Sequence, residues 1–102
     1  MLNIGAVNNE AELNNPNVSV ENPISIGYID KRASHVGLLS SIYSGIVLNV
    51  RVRYATSIDT GDGDDIIQVV FVAYDNTTGI SVGNKIKMRT RVNGTWGGFT
   101  EV

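Results

Sequence analysis

The sequence predicts an all-β domain, a single antiparallel β-sandwich or partly closed barrel of jelly-roll type with no substantial helix. Three observations carry this. Apolar and polar residues alternate with a period of two along several segments, as they do in half-buried strands. Glycine- and asparagine-rich turns separate those segments. Apolar residues at helical spacing never continue beyond one turn, too short to stand alone. At 102 residues and 11.0 kDa the chain suits one domain.

Residues 1–23 read as an irregular, asparagine-rich N-terminal arm. Seven of the chain's 11 asparagines and both prolines fall there, and these residues favour turns and extended backbone. The arm is either a loosely ordered terminus or a docking arm that orders against a partner. A helical turn at 9–13 is conceivable. The β domain then spans 24–102. Residues 24–28 alternate, and 35–43 form a second, less regular strand. Residues 45–56 form a long strand with Ile46, Leu48, Val50 and Val52 facing the core and Val47, Asn49, Arg51 and Arg53 facing out. An acidic turn at 59–65 leads to 66–75, apolar on both faces as in a covered sheet. A turn at 76–79 precedes 84–92, which alternates strictly. Asn93-Gly94 marks a type I′ hairpin, because both residues tolerate positive φ, and 95–102 return as the last strand. The expected core adds Ile66, Val70, Val72, Ile86 and Met88.

Composition excludes several function classes. Without cysteine there is no disulfide framework, thiolate chemistry or cysteine zinc site. One histidine, His35, rules out a multi-histidine metal site. A net charge of −2 does not mark a nucleic-acid binder. Neither a signal peptide nor a transmembrane run is recognisable. Catalytic constellations are thin, and no enzyme activity is expected. Ser34 and His35 are neighbours, so on a strand they point apart and cannot act as nucleophile and base.

Three constellations could bind. Thr60 to Gln68 carries Asp62, Asp64 and Asp65 on a glycine-rich loop, a set of hard oxygen ligands suited to calcium; the alternative is a solvated acidic hairpin loop. Otherwise no cofactor is expected. Lys85, Lys87, Arg89 and Arg91 occupy alternate positions of one strand and share a face, with Arg51 and Arg53 as a second basic pair. Such a row suits an anionic partner such as an acidic glycan, or is a solvated outer face that guards a sheet edge. Nucleic acid is the weaker option, since no aromatic residues interleave the row. Trp96, the only tryptophan, falls opposite Arg91 across the Asn93-Gly94 turn. It either stands exposed on the basic face, where it could stack on a sugar ring, or is turned inward by a bulge at Gly97-Gly98. Phe99 is expected opposite Met88, in the core. The candidate ligand-contacting residues are therefore Trp96, Arg91, Arg89, Lys87 and Arg53.

Residues 60–68 resemble one copy of the calcium-binding nonapeptide of RTX proteins, with threonine in place of its first glycine. Residues 89–102, RTRVNGTWGGFTEV, resemble the ending of knob-type modules of phage tail fibres and pyocins, which close with an arginine-bearing strand, a tight turn and W-x-x-W; Phe99 stands where the second tryptophan is usual. Residues 51–56 are similar to a strand in the carbohydrate-binding domain of insecticidal crystal toxins. The last two resemblances imply exposed β-modules that contact cell-surface glycans. Together they imply a non-enzymatic virion surface module of tail-fibre or baseplate type that contacts host glycans, made in the host cytoplasm, oligomeric, and not inserted in a membrane. The alternative is a structural assembly or decoration protein that binds other virion subunits.

Overall fold

The computed structural model describes residues 3–19, 21–29, 42–53, 64–75 and 85–102. They form β1 (Asn3–Ala6), α1 (Glu10–Asn14), β2 (Ile24–Ile29), β3 (Ile42–Arg53), β4 (Asp64–Asp75), β5 (Lys85–Val92), β6 (Thr95–Trp96) and β7 (Thr100–Glu101). The all-β expectation holds. The seven strands lie in one sheet of order β1-β2-β3-β4-β5-β6, with β7 also on β5, and the sheet is not closed into a barrel. β1 runs parallel to β2 and all other neighbours are antiparallel. The expected strand at 35–43 and the turn at 76–79 lie largely outside the described residues.

β3 and β4, of twelve residues each, are the axis of the sheet. Their Val- and Ile-rich sequences suit a pleated, half-buried surface. Between β5 and β6, Asn93 (φ 51°) and Gly94 (φ 81°) make the tight turn that the Asn-Gly pair announces. The register Arg91↔Trp96 and Val92↔Thr95 follows from it.

Residues 3–7 and 10–14 of the arm are ordered against the chain's own sheet, and 15–19 and 21–23 lie in neither helix nor strand. β1 pairs with β2 from Asn3↔Ser25 to Ala6↔Tyr28, and the Val7 amide continues the ladder by donating to the Tyr28 carbonyl at 2.9 Å. One helical turn then forms because both its orphan amides and its apolar side chain are provided for. The Asn9 side chain accepts from the Glu12 amide, and the Glu12 carboxylate accepts from the Asn8 amide, a reciprocal cap of the kind that starts helices. Leu13, at 1% exposure, is driven into the sheet. Gly27 permits this crossing: Val7 sits where a side chain at 27 would begin.

The facing of the sheet reverses the sequence expectation. Val47 is fully buried, whereas Ile46 is 50% exposed and Val52 43%. The covered face carries the core cluster of Val7, Leu13, Ile29, Val47, Val70 and Val72, with Phe99 packed against it. Ile66, Val70 and Val72 are buried as expected, but Ile86 and Met88 belong to the open face. Cross-strand register lays that face out in rows. One runs Tyr28–Ile46–Phe71–Ile86, a second Ile26–Leu48–Val69–Met88, and a third Ile24–Val50–Ile67–Thr90. Alternation states which residues share a face, not which face gains a cover. Here the cover is the arm and the C-terminal aromatics, and both bind the polar side.

Leu13 touches the sheet from a helix too short to persist alone. Leu13→Ala should therefore cost about 2–5 kcal/mol and release the arm. Chemical denaturation and loss of amide protection at residues 3–14 would measure it.

Candidate functional site

A polar row crosses the covered face at its centre. Register places Asn3, Ser25, Asn49, Gln68 and Arg89 side by side on five successive strands. Four of them, Ser25, Asn49, Gln68 and Arg89, are buried. Buried polar groups are tolerated when each finds partners, and these do. The Asn49 amide nitrogen donates to Ser25 Oγ at 3.2 Å. Gln68 Nε2 donates to Asn49 Oδ1 at 2.8 Å and to the Leu13 carbonyl at 2.9 Å. Arg89 Nε donates to Gln68 Oε1 at 2.7 Å, and its Nη2 to Asn14 Oδ1 at 2.8 Å. The row thus ends on the C-terminus of α1, where it takes hold of Leu13 and Asn14.

The Arg89 guanidinium is also clamped between two rings. Its central carbon lies 4.0 Å from the Trp96 centroid and 4.5 Å from that of Phe99. A β-bulge makes this possible. Arg91 pairs with Trp96, but Met88 pairs with Thr100 and Lys87 with Glu101. Regular pairing from the hairpin would set Met88 opposite Phe99, so one extra residue is accommodated at 97–99. Strict alternation would point Trp96 and Phe99 to opposite faces; the inserted residue brings both to the covered one. The Gly97 amide holds the bulge by donating to the Thr90 carbonyl at 2.9 Å. Trp96 then donates its indole N–H to the Asn14 carbonyl at 2.9 Å.

The expected ligand-contacting residues fall as follows. Lys85, Lys87, Arg89 and Arg91 do share one face, but it is the covered one, and Arg89 is only 4% exposed. The row is therefore not a solvated outer face. Trp96 is half-buried and oriented by the arm, as the bulge alternative anticipated. Its closer cation is Arg89, with Arg91 at 5.6 Å. Phe99 packs on the core cluster from the side of Arg89, not opposite Met88. Lys87 and Arg91 are half-buried. Arg53 ends β3 opposite Asp64; its side chain lies outside the described residues. So does Asp62. Asp64 and Asp65 are successive residues of β4, and Asp65 Oδ1 accepts from the Asn93 amide at 3.4 Å. Among the described residues no group of three or more His, Cys, Asp or Glu is gathered. Ser34 and His35 lie outside them.

Burial pushes the Arg89 guanidinium down to about 10, while Glu10 acts in the opposite direction. It remains a cation at neutral pH. Because the folded value is below the unfolded one, the folded state holds fewer protons between about 10 and the usual arginine value. The desolvation penalty is therefore constant below pH 10 and lifts only above it. Chemically, the cluster can tie chain segments together; it presents no activated nucleophile. Beside its far end lies a cavity of about 240 Å³ lined by Asn3, Asn15, Ser25 and Asn49 among others.

Sequence reasoning missed Asn14, Asn49 and Gln68. Asn49 interrupts the apolar run 46–50 and Gln68 the run 66–73, and a polar residue inside such a run is a signal for a buried partner. Comparison with protein-family models, with curated proteins and with solved structures returns no match.

Arg89→Ala would leave Gln68 Oε1 and Asn14 Oδ1 without their donor and remove the filling between two rings. A loss of about 3 kcal/mol or more is expected, against less than about 1 kcal/mol for Lys87→Ala on the same strand. Urea denaturation followed by Trp96 fluorescence would compare them. Trp96→Ala should likewise lower stability by about 2 kcal/mol or more, because it unties Asn14; circular dichroism melts would show it.

Proposed function

We propose that this protein is a non-enzymatic structural subunit that works by burying the open face of its sheet against another protein surface, within an assembly of the virion type. The observation that carries the reading is the open apolar face. Ile24, Tyr28, Ile46, Phe71, Ile86 and Met88 are exposed together on it, and isolated apolar residues are ordinary whereas a contiguous wall of them marks a contact surface. The resemblance of residues 89–102 to tail-fibre and pyocin modules supports the virion context. Glycan attachment has less support, because Arg89 and Trp96 are engaged in holding the arm. Among the described residues no helix is long and apolar enough to cross a membrane.

The test is whether charge on the open face blocks association of any kind. The wild-type chain is expected either to bind an apolar dye as a monomer or to sediment as a larger species. Ile46→Lys should weaken whichever is seen and leave the strand signal in circular dichroism unchanged, because half of that side chain already meets solvent. A wild-type monomer that binds no dye would overturn the reading. A saturable shift of Trp96 fluorescence on adding glycans would favour attachment instead.

A further inference from the structure

We infer that the occupant of the open face is a second copy of this chain, so that two sheets close face to face into one intermolecular β-sandwich about a two-fold axis. The inference rests on the docking reading above and adds the identity of the partner.

Area is the first argument. Ile24, Tyr28, Ile46, Val52, Phe71, Ile86, Met88 and Val92, each 36–51% exposed, together leave several hundred Å² of the open face uncovered, approaching the roughly 800 Å² that each partner contributes to a stable interface of standard size. That lies at the upper end of the apolar patches, roughly 300–600 Å², found on ordinary monomers, which are often functional. One further copy presenting the same face therefore matches it in extent.

Charge is the second. The three rows hold no charged residue, and the one described carboxylate on this face, Asp65, sits at its end beside the Asn93 turn. A two-fold axis through the centre, near Leu48 and Val69, brings no like charges together. Self-association meets no electrostatic penalty there, and nothing on the face asks for a partner of opposite charge.

Layer geometry is the third. Among the described residues the sheet is covered by the arm and by Trp96 and Phe99, and both covers lie on the same side. The arm already covers one side, so the missing layer belongs on the other. Two sheets packed with strands aligned within about 30° interleave their inner side chains. The sequence reads as a sandwich because its alternating pattern is completed by two chains rather than one.

The experiment uses the absence of native cysteine, which makes one introduced thiol unique. Sedimentation equilibrium of the wild-type chain over a hundredfold concentration range is expected to give twice the 11.0 kDa chain mass. Under mild oxidation Val69→Cys should form a covalent dimer, whereas Glu101→Cys, on the opposite face, should not. Phe71→Lys should shift the mass to that of the monomer. The wild-type mass decides the matter even if a variant fails to fold. A wild-type monomer that binds apolar dye overturns the second copy while leaving the docking reading in place. A monomer that binds no dye overturns both. A trimer overturns the two-fold sandwich.

Discussion

The placement of one cation, Arg89, organises the molecule. Its guanidinium lies between Trp96 and Phe99 and reaches Gln68 on one side and Asn14 on the other. Arginine suits this place because its planar head can stack on rings and donate in its own plane at once. Lysine has the charge without the plane. Three segments distant in sequence, the arm, the central strand β4 and the C-terminal hairpin, are held through this single side chain. Among the described residues their neutral partners supply hydrogen bonds, and the flanking rings share in offsetting the cost of desolvating the cation.

That arrangement depends on details of backbone geometry. The inserted residue at 97–99 decides whether one aromatic or two lie beside Arg89. Gly27 decides whether Val7 can cross the sheet and deliver α1. The arm has too little local propensity to fold by itself, and its helix ends in asparagines, Asn14 and Asn15. Asn14 does the docking, its Oδ1 accepting from Arg89 and its backbone carbonyl from Trp96, while Asn15 closes the helix by donating to the Ala11 carbonyl. The composition that reads as disorder in isolation supplies hydrogen bonds within the arm, through Asn3, Asn9 and Asn15, and one side-chain contact to the sheet, through Asn14.

Much of the fold was legible. The β class, the Asn93-Gly94 turn, the pairing of Arg91 with Trp96 and the shared face of Lys85, Lys87, Arg89 and Arg91 all follow from local rules of alternation and turn chemistry. What escaped was the choice of covered face. The alternation of 46–53 is the same whether Ile46 or Val47 is inside, and β4 is apolar on both sides, so local pattern is silent there. Charge suggested that Arg51 and the β5 row face water. That inference fails wherever a basic side chain finds acceptors and rings enough to be buried, as Arg89 does. The signals that could have corrected it were Asn49 and Gln68, polar residues inside apolar runs, which make sense only as a buried ladder on the same face as Arg89.

The two margins of the sheet direct how anything can be added to it. On one side stands β1, four residues long; on the other stand β6 and β7, two residues each and separated by the bulge. Short and interrupted edge strands offer a poor template for a new strand. Sideways growth into a continuous ribbon is thereby discouraged, although the central strands are long and rich in valine and isoleucine. What these margins leave open to an added layer is the face of the sheet, approached perpendicular to its plane.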